Sequence, residues 1–258
     1  MKIGCCIDLS YYDQLVACGY DSIALAAKDV AAWSEEAFVG AQTILAQGKL
    51  QTISLNSFCT PQLRLNGSGF DPERLAAYAQ LVCRRGSVLG FRYVGIGAPA
   101  SRNVAPGENP RRCMDQFCQA MAIICQEAGE YGMEILLESV CSLEGNFLTT
   151  TAQTFALVRQ LAIPNLHLVY DIYHEAMEKQ NLDVIAQCAQ EIRVVHIAQD
   201  VNGTRAYLNA AQADQYRAYW RALRAVGYTG EWNLEAFAGD PSKLLPESME
   251  IMRKIQRD

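Results

Sequence analysis

The chain has 258 residues, half of them hydrophobic and 19% charged, which supplies a sizeable core and excludes a disordered or fibrous protein. Its 22 basic and 28 acidic residues leave a net charge of -6, a surface that repels phosphate backbones and argues against non-specific nucleic-acid binding. No stretch approaches the ~18 consecutive apolar residues of a membrane span.

The opening MKIGCCIDLS holds an apolar run that Asp8 interrupts, too short for a secretory h-region. Ten cysteines are scattered without a CxxC pair, so the expectation is reduced thiols and a cytoplasmic protein. Short β-branched runs then alternate with longer helical patterns to the end of the chain. Strands are expected at 2–7, 22–25, 51–55, 91–96, 133–137, 166–170, 193–197 and 232–234. Between them, Leu75, Tyr78, Ala79 and Val82 fall at helical spacing, as do Tyr216, Tyr219, Trp220 and Leu223. Asp71-Pro72, Asn109-Pro110 and Asp240-Pro241 each put a capping side chain before a proline suited to a first turn. Thr150 and Gln153 have capping-box spacing, and Gly227 is placed to end a helix. Eight strand–helix units in this length predict an α/β fold, a single (β/α)8 TIM barrel over 1–258. An open doubly wound sheet is the alternative, but Asp8-Leu9-Ser10-Tyr11 is no glycine-rich first turn.

Barrel active sites are built where the C-terminal ends of the strands converge. Four consecutive strands here end on polar groups: MEILLES on Glu138, LHLVYD on Asp171, RVVHI with His196, and EWNLE on Glu235. The residues before them are almost all apolar, and three buried carboxylates side by side are very costly without a counter-charge. Three carboxylates and one imidazole suit one divalent cation, with Mn2+ favoured and Mg2+, Co2+ or Zn2+ as alternatives.

With these residues stated, the chain resembles the xylose-isomerase-like TIM-barrel superfamily, in its sugar phosphate isomerase/epimerase, ketose 3-epimerase-like branch. The resemblance is carried by Leu137-Glu138-Ser139-Val140-Cys141-Ser142-Leu143-Glu144, Asp171-Ile172-Tyr173-His174, His196-Ile197 and Leu234-Glu235, in that order and at barrel spacing. The opening MKIG, GYDSIAL and the GYTG before the last strand add to it. It implies that Glu138, Asp171, His196 and Glu235 hold the metal, and that Glu138 and Glu235 also exchange the substrate proton. Glu144 and His174 would hydrogen-bond the sugar near its carbonyl, though either could be a rim residue. The superfamily's barrels are often dimers or tetramers, which makes a homo-oligomer an expectation by analogy.

The implied activity is a metal-dependent isomerase or epimerase of a sugar or sugar derivative, passing through an enediolate. Two bases on opposite faces allow inversion, and one base on a single face allows aldose–ketose exchange. A keto-inositol-type dehydratase or lyase could use the same site, and a non-catalytic sugar-binding barrel is a third reading. Apurinic-site endonucleases share the fold but need a multi-histidine zinc cluster, which three histidines, His167, His174 and His196, cannot furnish.

Other residues carry open alternatives. Arg102 follows the fourth strand and is either a ligand for a substrate hydroxyl or phosphate, or half of a surface salt bridge. Relatives carry an arginine six residues after the strand-seven histidine, where this chain has Asn202; Arg205, three residues on, is the substitute. Ser139 replaces the proline after the first glutamate, and Ala24 stands where relatives often have an acid. Asn56, Phe58 and the 64–69 loop could close over the ligand, or simply connect. Cys6 could line the pocket floor, His167 is expected to be structural, and Glu134 to be solvated.

Overall fold

The computed structural model describes residues 1–60 and 62–257. Eight parallel strands close into a barrel: β1 (Lys2–Cys6), β2 (Ser22–Ala26), β3 (Gln51–Asn56), β4 (Tyr93–Ile96), β5 (Glu134–Glu138), β6 (Leu166–Asp171), β7 (Ile192–Ile197) and β10 (Glu231–Leu234). A two-stranded hairpin, β8 (Gln199–Val201) and β9 (Thr204–Ala206), follows β7. Each of the eight expected strands is present, with ends moved by one or two residues. The hairpin has no counterpart in the sequence reading.

The helices that cover the barrel are α1 (Tyr12–Cys18), α2 (Ala27–Ala32), α3 (Glu35–Leu45), α4 (Pro72–Val88), α5 (Pro99–Arg102) and α6 (Pro110–Glu130). They continue with α7 (Thr151–Leu161), α8 (Ile172–Met177), α9 (Asp183–Cys188), α10 (Ala213–Ala225) and α11 (Pro241–Arg257). Their starts follow the local chemistry. The Asp71 carboxylate accepts from the N–H groups of Glu73 and Arg74, Asn109 does the same for Arg111 and Arg112, and Thr150 Oγ1 accepts from Gln153 N. Proline as first helical residue in α4, α6 and α11 sacrifices no hydrogen bond there.

The strands separate two apolar regions. Residues such as Ile135, Leu137, Leu168, Tyr170, Val195 and Ile197 join the large core between sheet and helices. Their neighbours in sequence point inward, where Tyr93, Leu136, Val169 and Val194 pack together inside the barrel. One inward step along each strand leads from Leu136 to Glu138, Val169 to Asp171 and Val194 to His196. The polar strand ends therefore stand directly on an apolar plug, which denies them water from below.

At the opposite end the barrel is closed by charge. Glu134 pairs with Arg92 at 2.8 Å and with Arg193 at 3.0 Å, and lies 3.3 Å from His167. His167 Nδ1 lies 2.7 Å from Glu191. His167 lies at the end of β6 away from the polar strand ends, as its place in the sequence suggests. Glu134 is not a solvated end but the hub of this network, because Arg92 just before β4, His167 of β6 and Arg193 of β7 all lie beside it.

Candidate active site

Glu138, Asp171, His196 and Glu235 are all buried, and one ligand atom from each lies within 4.8 Å of the others. His196 Nδ1 sits 3.1 Å from Glu138 Oε1 and 3.4 Å from Glu235 Oε2. Asp171 divides its labour. Its Oδ1 caps α8 by accepting from Tyr173 N at 2.7 Å, while its Oδ2 is buried without a hydrogen bond. That carboxylate oxygen, two further carboxylates and an imidazole nitrogen converge on one point and form a donor set that fits a divalent cation. Gly97 makes room for it: a Cβ there would come within 2.5 Å of Glu138 Oε2.

The electrostatics are uneven across the set. Burial and the neighbouring Glu235 push the Glu138 carboxyl up to about 7. Burial acts on Glu235 as well, but His196 and Arg205 outweigh it and hold the group down at about 2. At Asp171, Arg205 and the two histidines overcome burial and keep the carboxyl well below the usual range.

Arg205 is central to this balance. It reaches in from β9, is 7% exposed, pairs with Glu235 and lies 3.2 Å from Asp171 Oδ2 and 3.6 Å from Glu144 Oε1. Its guanidinium is stacked between the rings of Tyr173 at 5.1 Å and Phe237 at 5.6 Å. The hairpin delivers it because the Arg205 carbonyl accepts from the N–H groups of Phe237 and Ala238, which fastens β9 over the end of β10. Glu144 stays at the exposed rim, within reach of the guanidinium.

His174 is fully buried beside Arg205. Cys141 N donates to its Nδ1 at 3.1 Å, so in the neutral ring Nε2 carries the proton. Burial lowers the His174 pKa to about 4, which keeps the ring neutral. Nε2 meets the Arg205 guanidinium, and Asp171 Oδ2 lies 3.8 Å from Nε2 and 3.2 Å from Arg205 Nη1, so the two donors share an acidic neighbour.

Arg102 requires a correction. It is fully buried, donating to the carbonyls of Glu138 at 2.9 Å and Leu148 at 3.3 Å, and burial lowers its pKa to about 10. It makes no surface salt bridge; its two Nη groups donate to backbone carbonyls, and its Nε is buried without a hydrogen-bond partner. Its place is beneath the site, bracing the backbone at the end of β5. The 64–69 loop likewise connects rather than closes. Arg64 donates to Ala100 O and Asn103 O, Gly67 N to Gln116, and Ser68 N to Glu108, which fastens the loop to the segment after β4.

Several contributors escaped the sequence reading. Ser139, standing in the proline position, contacts Thr151 Oγ1 at 3.2 Å and donates to Glu175 at 3.4 Å. Buried Glu175 also accepts from Thr151 N and Oγ1, so it ties the β5 end, α7 and α8 together. Gly97 and Cys141 act through backbone shape and a backbone N–H, which no side-chain pattern reveals. Asn56, expected as a residue that could close over the ligand, instead ends β3 as Glu138 ends β5, a parallel that the sequence shows.

A cavity of about 330 Å³ opens beside the set, lined by Cys6, Asp8, Trp33, Tyr207, Glu235 and Phe237 among others. No helix among the described residues is long and apolar enough to cross a membrane.

Comparisons with known proteins agree with this architecture. A family model described as xylose isomerase-like TIM barrel matches residues 12–255. A ketose 3-epimerase of Arthrobacter globiformis is 31% identical over 120 residues, covering 46% of this chain and 40% of that protein. An L-ribulose 3-epimerase of Methylomonas sp. (strain DH-1) is 26% identical over 157 residues, covering 59% and 53%. The chain thus spans about half or less of the curated relatives it matches. The solved D-allulose 3-epimerase from Methylomonas sp., in complex with D-allulose, superposes with a TM-score of 0.83 at 19% identity, covering 98% of this chain and 96% of that one.

Proposed function

The chain belongs to the xylose isomerase-like TIM barrel family, and from that premise we propose that it is a divalent-metal-dependent ketose epimerase acting on an uncharged sugar. The observation that carries the proposal is the convergence of Glu138, Asp171, His196 and Glu235 on one point, beside a donor pair from Arg205 and His174. Its two matched relatives are a ketose 3-epimerase and an L-ribulose 3-epimerase.

Glu138, Asp171, His196 and Glu235 would hold the cation, which when bound stabilises negative charge on substrate oxygens as a proton leaves the adjacent carbon. Arg205 and His174 donate to a substrate oxygen and fix its orientation, and Glu144 reaches the same end from the rim. Glu138 and Glu235 arrive from different strands, so one takes a proton from carbon and the other returns one to the opposite face. Apolar packing below and the stacked Arg205 above keep water from these groups.

The outer cavity wall supports an uncharged substrate. It carries Asp8 and Asp29 against one Lys28, with Trp33, Tyr207 and Phe237 between them. That net charge disfavours a phosphate and suits a sugar that lays an apolar edge on aromatic rings. We place the activity in a single barrel domain in the cytoplasm, with Mn2+ as the first cation to test ahead of Mg2+, Co2+ and Zn2+.

The test is incubation of the Mn2+-loaded protein with a panel of ketoses in D2O. Deuterium should enter carbon 3 of at least one ketose, with its epimer appearing, and Glu138→Gln should abolish both. Cation binding without exchange into any ketose would overturn the proposal. Loss of water from the sugar in place of exchange would assign a keto-inositol-type dehydratase to the same residues.

A further inference from the structure

Asn56 has no role in the scheme above, yet its side chain is packed against His196. It ends β3, is 4% exposed, and places Nδ2 at 3.4 Å from His196 Nε2 and 2.9 Å from Cys6 Sγ. Its Oδ1 is buried with no hydrogen-bond partner. The wall beyond that oxygen is the bare backbone of Gly95, where a Cβ would come within 2.7 Å of it.

The two ring nitrogens of His196 face different surroundings. Nδ1 is turned toward Glu138 and Glu235 at 3.1 and 3.4 Å, and Nε2 toward Asn56. A cation held among the strand-end acids takes the Nδ1 lone pair, so the ring proton must then reside on Nε2. An N–H on Nε2 needs an acceptor, and such an outer partner is what orients a ligating histidine. The ends of an amide are nearly interchangeable in shape, so a half-turn of the Asn56 amide brings Oδ1 to the ring without moving the backbone. In that orientation Oδ1 accepts from Nε2–H and from the Cys6 thiol, and the amide NH2 takes the place against Gly95 that the oxygen held.

We propose that Asn56 is the positioning residue for His196: its Oδ1 accepts from Nε2–H and thereby presents the Nδ1 lone pair to the cation. This rests on the cation set proposed above. Gly95 is the accompanying requirement, since its missing side chain leaves room for the far end of the amide.

The test uses protein with 15N-labelled histidine, whose three imidazoles give a readily assigned spectrum, and Zn2+ as a diamagnetic probe. Wild type loaded with Zn2+ should show the His196 proton on Nε2, hydrogen-bonded and slow to exchange. Asn56→Leu keeps the volume and removes the acceptor; it should bind Zn2+ about 10- to 100-fold more weakly by calorimetry and lose that protected N–H. Asn56→Asp restores an acceptor and should recover both the protected N–H and the affinity. Equal affinity and an unchanged Nε2–H signal in Asn56→Leu would overturn the role of Asn56 and leave the cation site standing. Wild type that binds no Zn2+, or binds it without perturbing His196, would overturn both.

Discussion

Arg205 Nη1 lies 3.2 Å from Asp171 Oδ2, inside the group of acids that ends β5, β6 and β10. The guanidinium supplies positive charge where the proposed cation would also supply it, so the two partly substitute for one another. Removing one partner of a buried ion pair leaves uncompensated charge. Arg205→Met should therefore bind Mn2+ more tightly than wild type, by about tenfold, equivalent to about 1.4 kcal/mol. It should lose most of its turnover, because the proposed donor to the substrate oxygen is gone. Calorimetric titration checks the first effect; unchanged or weaker binding counts against this account of Arg205.

Loading the site should stabilise the fold. At a hundredfold excess over Kd, a cation that binds only the folded state adds about 2.7 kcal/mol. For a chain of this size that corresponds to a rise in Tm of ~5–10 °C, reversed by a chelator. Glu235→Gln, which removes a charge from the set, should shrink the shift. Thermal scans with and without Mn2+ measure it, and identical shifts in the two proteins would place the ion elsewhere.

Gly97 gives Glu138 its space, and a methyl group there would come within 2.5 Å of Oε2. The Glu138 carboxylate is the far end of a flexible chain, so the fold can accommodate the change while the site geometry cannot. Gly97→Ala should keep its stability within about 1 kcal/mol of wild type yet lose cation affinity and turnover together. Circular dichroism with a parallel binding titration separates the two effects.

Glu231 sets a pH dependence at the opposite end of its strand. It is 3% exposed, accepts from Ser22 and leaves Oε2 without a partner. Burial pushes its carboxyl up to about 7. The folded chain therefore holds a proton that the unfolded chain releases near its ordinary carboxylate range. Stability from this group is full below the unfolded pKa and is lost as pH rises through about 7. Glu231→Gln removes that loss, so its stability advantage over wild type should be small at about pH 5 and reach on the order of a few kcal/mol at about pH 8, read from thermal or urea unfolding at the two pH values. A constant difference across that range would place the ionisation elsewhere.

The eight-strand alternation and the four polar strand ends were legible in the sequence because both follow local rules. A strand's period of two sets what faces inward, and a capping residue before a proline marks where a helix starts. An acid closing an apolar strand is anomalous wherever it occurs, so Glu138, Asp171 and Glu235 could be singled out from the chain alone.

The chain alone could not say where Arg102 and Arg205 go. Both follow strands on the same face; Arg102 is a candidate from its place after the fourth strand, and Arg205 from the resemblance alone, as a stand-in for the arginine expected at Asn202. Arg102 is taken by two backbone carbonyls beneath the site, whereas Arg205 is carried over it by a hairpin fastened to the end of β10. Hydrogen bonds between segments far apart in sequence decide that difference, and so do the contacts of Asn56 with His196 and of Cys141 N with His174. Local pattern thus determined the barrel and its ring of acids. Long-range contacts, which have no period along the chain, decided which neighbours orient them.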